Sequence, residues 1–264
     1  DNQRKAVEHL GSPLLVEAGP GSGKTEVVIE RVKFLTDKGG FDPSEILCIT
    51  FTVKAAEEMR NRLEEDGIDT SQMTIMNYHA FYHELLEKNK SYTGLGNSKI
   101  ISRATLLVWA LENIDSFKFN DEIDISQNSI SLEIEAIIDG ISTFRDSLLS
   151  PEELQQYIDK KKSGTLSYRD ADEVIYVKRL ENLAEVYKKC EEFKKRQDVM
   201  DFDDIIGLTY LMLTDPTTKH IVEGLKKIYK YVLIDEFQDN NFAQFEIAKH
   251  LVTDGNITAV GDNV

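Results

Sequence analysis

The stretch Ala18-Gly19-Pro20-Gly21-Ser22-Gly23-Lys24-Thr25 decides how this chain is read. It fits the phosphate-loop pattern G-x-x-x-x-G-K-[ST] at every place but the first, where Ala18 replaces a glycine. The apolar run Pro13-Leu14-Leu15-Val16 precedes it and reads as a buried strand. Glu26 to Leu35 follows, with Val28, Val32 and Leu35 at helical spacing. Strand, glycine loop and helix together make a phosphate site: glycines let successive backbone N–H groups face an anion. The new helix aims its positive end at the same point. The loop residues Gly19, Pro20, Gly21, Ser22 and Gly23 would cradle the phosphates of ATP. Lys24 would reach the β- and γ-phosphates, and the Thr25 hydroxyl would ligand Mg²⁺.

A second chemical centre lies far along the chain. Tyr231-Val232-Leu233-Ile234 reads as a buried strand, and Asp235-Glu236-Phe237-Gln238-Asp239 follows at its carboxyl end. An acid in that position, paired with a phosphate loop, holds the Mg²⁺ that Thr25 also touches, so Asp235 is the metal-side acid. Glu236 is placed to orient and deprotonate a water for attack on the γ-phosphate, and Gln238 to sense that phosphate. An Asp-Glu pair after a strand is common by itself; joined to the loop it completes one chemistry.

The remaining strands read from short apolar runs: Ile46 to Phe51, Met73 to Met76, and Ile257 to Val260 with Gly261-Asp262 at its tip. Gln3, in a short helix before the first strand, carries an amide that donates and accepts at once, which suits an adenine edge. Thr50, Phe51 and Thr52 stand at a strand end, the edge that faces ligands in a parallel sheet. Phe51 suits either the core or a base stack. Thr52 is placed to cap a helix from Val53 to Leu63. Tyr78 and His79 open a helix running to about Lys88; a lone histidine there is more often structural.

After Lys90 the character changes. Ser91 to Ser98 reads as a linker. From Ser102 to about Arg196 the pattern is helical throughout. Ser131 to Leu149 carries a broad isoleucine stripe, Ser150-Pro151-Glu152-Glu153 is a helix start, and Ala171 to Arg196 is one long amphipathic helix. Trp109 sits in an apolar stripe and reads as core. The clusters Lys160-Lys161-Lys162, Lys188-Lys189 and Lys194-Lys195-Arg196 are candidates for a phosphate track, although charge runs on helices are usually solvated. The fold class is therefore α/β, a sheet flanked by helices, with an inserted all-α segment. The expected organisation is 1–90 and 199–264 as one nucleotide-binding domain and 91–198 as the insertion.

The 264 residues include 31 Lys+Arg and 47 Asp+Glu, a net charge of −16, which by itself argues against nucleic acid. A narrow basic track on an acidic exterior remains compatible with it. No apolar run reaches the ~18 residues of a membrane helix, and no secretory leader is visible before Asp1. The two cysteines, Cys48 and Cys190, are far apart and read as reduced thiols, so the expected location is cytoplasmic.

Taken in order, these blocks resemble superfamily 1 DNA helicases of the UvrD/Rep/PcrA type. The resemblance rests on Gln3 with Ala6-Val7, the loop from Ala18 to Thr25, Ile49-Thr50-Phe51-Thr52 with Ala55-Ala56 and Met59, and Tyr78-His79 with Phe81. It continues through Asp201-Phe202-Asp203-Asp204, Asp235 to Asp239 with Asn241 and Gln244, and Val260-Gly261-Asp262. An alanine at the loop's first place is usual in that family. The resemblance implies a RecA-like parallel sheet and an ATP- and Mg²⁺-dependent motor. Its partners are single-stranded DNA and single-strand/double-strand junctions, it usually moves 3′ to 5′, and its protein partners are left open. It further implies that Gln3 reads adenine and that Thr50, Phe51, Thr52, Tyr78 and His79 lie on the DNA path, which favours Phe51 as a DNA contact. The sequence departs from the pattern where Glu26 replaces a frequent arginine and Asn77 a usual threonine, and it stops before the glutamine expected after Asp262. On this reading the chain is the N-terminal portion of a helicase that binds ATP but hydrolyses it poorly by itself. The alternatives are a RecB/AddA-type helicase–nuclease subunit and a non-catalytic DNA-binding module.

Overall fold

The structure is a computed structural model and describes residues 2–19, 21–93, 98–122 and 129–262. Of the stretch read as a linker, residues 94–97 lie outside the described ones. The chain divides into two compact units, residues 1–94 with 208–264, and residues 95–207.

The first unit runs α1 (Asn2–Glu8), β1 (Leu14–Glu17), α2 (Lys24–Asp37), β2 (Ile46–Thr50), α3 (Val53–Glu65), β3 (Thr74–Asn77), α4 (Tyr78–Lys88) and the short α5 (Lys90–Thr93). The second runs β4 (Lys99–Ile100), α6 (Arg103–Glu112), α7 (Ile130–Asp146), α8 (Pro151–Lys162), α9 (Ala171–Gln197), β5 (Val199–Met200) and the start of α10 (Phe202–Thr214). The chain then completes the first unit with α11 (Lys219–Ile228), β6 (Tyr231–Ile234), α12 (Phe242–Leu251) and β7 (Ile257–Gly261).

The first unit's five strands form one parallel sheet in the order β1-β7-β6-β2-β3. Every residue of β2 and β6 is buried, as continuous apolar strands covered on both faces should be. β1 alternates between half-buried and exposed, the pattern of an edge strand. Ile46, Cys48, Tyr231 and Leu233 face α2 and α3, where Val28, Val32, Leu35, Met59 and Leu63 close the core. Each such aliphatic side chain contributes about 1.5–3 kcal/mol by burial. α3 starts where Thr52 Oγ1 accepts from Ala55 N (3.0 Å), and α4 where Asn77 Oδ1 accepts from Ala80 N (3.0 Å).

The sequence reading assigns nothing between the helix at Asp201 and the strand at Tyr231. The structure has α11 there, burying Ile221 and Leu225 one turn apart; the glycine at 224 interrupts its pattern.

The second unit is a helical core of Leu106, Ile134, Ile138, Ile141, Leu154, Ile158, Val177, Leu180 and Val186 among others. α7 and α9 approach so closely at Gly140 that an added Cβ would lie 2.5 Å from Leu183 Cδ1. Trp109 packs against this core, stacked on Phe193 at 4.4 Å between ring centroids. The capping box at Ser150 and Glu153 starts α8. β4 and β5 form a two-residue parallel pair that brings the unit's two ends side by side, a feature too short for periodicity to register.

The basic clusters are mostly consumed internally. Lys161 is buried and donates to Glu173 Oε1 and to Ser167 O, both at 2.9 Å. Lys194 is buried against Asp201 (3.2 Å), Asp204 (2.6 Å) and Glu191 (2.9 Å). Arg145 joins them, donating to Asp201 at 2.7 Å and pairing with Glu191. The expectation of a phosphate track through Lys161 and Lys194 is corrected: both ammoniums are spent on carboxylates within the unit.

Candidate nucleotide site

Because the five strands are parallel, their carboxyl ends share one edge: Glu17, Gly261, Ile234, Thr50 and Asn77. Ligands of open parallel sheets bind at such an edge. The hydrogen-bond ladder extends past it, Ala18 N donating to Gly261 O (3.1 Å) and Asp235 N to Ile49 O (3.0 Å). The segments carrying chemistry are thereby fixed to one another.

The glycine loop leaves β1 at Ala18. Gly21 and Gly23 take left-handed backbone angles, φ 72° and 86°, where a side chain would cost about 1–2 kcal/mol. Ser22 N donates to Gly19 O (3.2 Å), and Val27 N to Gly23 O (3.0 Å) opens α2. Gly19, Gly21, Ser22 and Gly23 are exposed, and Thr25 is half-buried in the first turn of α2. Pro20 lies outside the described residues. Gln3 reaches the loop, its Nε2 donating to Ser22 O at 3.1 Å.

Lys24 lies in the loop's mouth. Its ammonium donates to Ala18 O (3.2 Å) and pairs with the Asp262 carboxylate. Asp235 is buried directly after β6, with Oδ1 accepting from Glu236 N at 3.0 Å. Burial and the neighbouring Glu236 charge raise the Asp235 carboxyl above its ordinary value, against the opposing bond from Glu236 N and the field of Lys24. Glu236 has a left-handed φ of 53°, a strain of the kind that tight functional turns store. Its Oε2 accepts from Gln238 Nε2 (2.9 Å), while Gln238 Oε1 accepts from Asp262 N (2.9 Å). One polar chain thus runs from Glu236 through Gln238 and Asp262 to Lys24. It depends on Gly261, where a Cβ would meet Gln238 Oε1 at 2.7 Å and Gln238 N at 3.2 Å.

Further along the edge, Phe51 is 46% exposed just past β2. Thr52 is exposed and caps α3, and His79 is half-buried in the first turn of α4. Thr50 and Tyr78 are not at the surface. The Thr50 hydroxyl donates to Thr52 O at 2.9 Å, and the Tyr78 hydroxyl accepts from Asn240 Nδ2. Burial pushes the Tyr78 phenol above its ordinary value, against that bond.

These elements, in this order on one parallel sheet, are matched by a known family. The UvrD/REP helicase N-terminal domain matches residues 1–264. The chain belongs to the UvrD/Rep helicase family. It is 31% identical over its whole length to the ATP-dependent DNA helicase Rep of Buchnera aphidicola subsp. Baizongia pistaciae, of which it covers 35%. It is 30% identical, over 99% of its length, to the ATP-dependent DNA helicase PcrA of Staphylococcus epidermidis, of which it covers 32%. It is 29% identical, over 95% of its length, to the ATP-dependent DNA helicase UvrD1 of Mycobacterium bovis, of which it covers 30%. The chain thus spans about a third of the length of these relatives.

Membership is consistent with the parallel sheet flanked by helices. Among the described residues no helix is long and apolar enough to cross a membrane. None of the described residues forms a cluster of three or more His, Cys, Asp or Glu side chains able to hold a metal. Asp262 is the member of the polar chain that sequence reasoning left without a role. Its signal was the Val260-Gly261-Asp262 block, read as a strand tip and as part of the family resemblance.

Proposed function

We propose that this chain carries the Mg·ATP site of a DNA helicase that couples ATP hydrolysis to 3′-to-5′ movement on single-stranded DNA and to strand separation at junctions. The observation that supports this most directly is the polar chain joining Glu236, Gln238, Asp262 and Lys24 at the mouth of the glycine loop. Backbone N–H groups of Gly21 to Thr25 and the Lys24 ammonium receive the phosphates. Thr25 and Asp235 supply a hydroxyl and one carboxylate. That set fits Mg²⁺, which takes few protein ligands and completes its octahedron with phosphate oxygens and water. Held by these two residues, Mg²⁺ would neutralise charge on the phosphates. Glu236 accepts the proton of the attacking water, and Gln238, bonded to both Glu236 and the Asp262 backbone, senses the γ-phosphate.

Gln3 meets the adenine edge. Phe51, Thr52 and His79 face the DNA, with Phe51 stacking on a base, while Thr50 and Tyr78 hold that edge from below. Residues 1–94 and 208–264 form the RecA-like nucleotide-binding domain, and 95–207 form its helical insertion, which extends past the expected boundary at 198 to include Asp201 and Asp204. The location is cytoplasmic, consistent with two buried free thiols, Cys48 and Cys190.

These 264 residues by themselves bind Mg·ATP and turn it over slowly. An arginine that reaches the γ-phosphate contributes about 10³–10⁵ in related enzymes, and the described side chains bonded to the polar chain include no arginine. The test is steady-state ATP hydrolysis with and without single-stranded DNA. The reading expects nucleotide binding with little turnover from these residues alone, and DNA-stimulated turnover from a chain that also carries the relatives' remaining length. Absence of nucleotide binding overturns it.

A further inference from the structure

Helix α1 buries none of its residues, and seven residues are too few to hold a helix by themselves. Its surface pair, Arg4 with Glu8, contributes little. What fixes it is Arg31, an arginine of α2 with no exposed surface. All five of its N–H groups find oxygens. Nε donates to Thr258 Oγ1 (2.6 Å). One terminal nitrogen donates to Ala6 O (2.6 Å) and Val7 O (2.9 Å). The other donates to His9 O (2.7 Å) and the Tyr231 hydroxyl. None of these oxygens belongs to a carboxylate. The Ala6, Val7 and His9 carbonyls lie at the end of α1, where carbonyls lack partners within the helix and the dipole is negative. Thr258 and Tyr231 belong to β7 and β6, the strands that lead to Asp262 and Asp235.

At its other end α1 carries Gln3, bonded to Ser22 O, and a Cβ on Gly23 would lie 3.4 Å from Gln3 Nε2. A cleft of about 410 Å³ opens between α1 and α2 beside Gln3, lined by Val7, Glu26, Glu30 and Lys33 among others. We propose that Arg31 is a positioning residue for base recognition: its guanidinium anchors the exposed helix α1 to the sheet and so holds the Gln3 amide over the glycine loop. The inference rests on the reading of Gln3 as the adenine contact. An amide pairs with both the N6 donor and the N7 acceptor of adenine. Guanine offers O6 and N7, both acceptors, and can engage only half of it. Arg31 therefore sets the preference for ATP over GTP without touching either.

The experiment measures equilibrium binding of Mg·ATP, Mg·GTP and inorganic tripolyphosphate to the full chain and its variants Arg31→Met, Arg31→Lys, Gln3→Ala and the Gln3→Ala/Arg31→Met pair. Methionine removes the fork while Tyr231 OH and Thr258 Oγ1 keep their mutual 2.9 Å bond. Arg31→Met is expected to cut the ATP-over-GTP ratio on the order of tenfold, to leave tripolyphosphate binding unchanged, and to add no loss in the Gln3→Ala background. A parent-like ratio overturns the proposal, as do an additive loss in the double variant and an equal loss for all three ligands. If Arg31→Met does not fold, Arg31→Lys decides. Its ammonium cannot span both the carbonyls and the sheet hydroxyls, so it must lose part of the ratio, and a full ratio overturns the proposal. A parent that binds ATP and GTP alike would instead sink the adenine reading of Gln3, and the role of Arg31 with it.

Discussion

The two units bury their cations in opposite ways. In the α/β unit Arg31 is enclosed by carbonyl and hydroxyl oxygens, and the carboxylates Asp235, Glu236 and Asp262 stand at the ligand edge. In the helical unit Arg145, Lys161 and Lys194 are locked onto Asp201, Asp204, Glu191 and Glu173. Charge in the helical unit is used for holding helices together. In the α/β unit it stands at the carboxyl-end edge of the parallel sheet, where ligands of such sheets bind. The carboxyl groups register the difference. Asp235 is held above its ordinary value. In the helical unit burial would also raise Asp201, but the charges of Arg145 and Lys194 outweigh it and bring that group down to about 2, while its neighbour Asp204 is raised by burial and by the Asp201 charge.

The contrast can be broken most severely at Arg145. Removing one partner from a buried charge cluster leaves the others uncompensated, so Arg145→Met should cost the helical unit about 3–5 kcal/mol. Trp109, the single tryptophan, stacks within that unit, so its fluorescence through a urea titration reads the loss. A loss under 1 kcal/mol would show that the cluster is not what holds α7 to α9.

A matched pair sharpens the sign. Asp201→Asn should destabilise the helical unit by about 3 kcal/mol, on the same physics. Asp235→Asn should stabilise the α/β unit by about 0.5–2 kcal/mol, because it removes a charge that burial disfavours. Thiol reactivity reads the two separately, since Cys48 is buried in one unit and Cys190 in the other. Destabilisation by both substitutions would erase the distinction.

Acid titration should separate the units next. Glu173 lies at about 2 in the fold, held down by the bond from Arg169 N and by Lys161, below an ordinary value of 4.5. Its contribution is complete above about pH 5 and is lost as pH falls toward 2. Asp235 has the opposite sign. Its contribution falls as pH rises through the ordinary value of 3.8 and is constant above its raised one. Between pH 5 and 3, Trp109 should therefore report loss in the helical unit that Lys161→Met diminishes; an unchanged acid profile in that variant would contradict the assignment. The smallest effect is expected at Ser150→Ala, where the loss of one cap should cost about 1 kcal/mol by urea unfolding.

The two units also differ in how far they could be read in advance. Lys24, Asp235 and Glu236 were legible because glycine punctuation and an acid after an apolar strand mark a parallel-sheet edge locally. The long helix expected from Ala171 to Arg196 is present from Ala171 to Gln197, since its apolar stripe repeats for many turns. The rest depends on register between distant segments. Asp262 meets Lys24 across 238 residues of chain, and Gln238 meets Gly261 only because β7 lies beside β6. Arg31 belongs to none of the motifs that the sequence displays. It is enclosed by carbonyls at the end of α1 and by hydroxyls of β6 and β7, segments that only the fold brings together. Lys161 and Lys194 misled for the same reason, since a charge run does not reveal which of its members turns inward.

The measurement that tests the central claim most directly is Mg·ATP binding to the parent chain and to Lys24→Ala, with folding of the α/β unit checked by the reactivity of buried Cys48 and that of the helical unit by Trp109 fluorescence. Charge-assisted hydrogen bonds contribute about 1.5–3 kcal/mol, so Lys24→Ala should weaken ATP binding on the order of 10- to 100-fold while leaving the helical unit's unfolding unchanged. A folded Lys24→Ala variant that binds Mg·ATP as tightly as the parent would contradict the assignment of this edge as the nucleotide site.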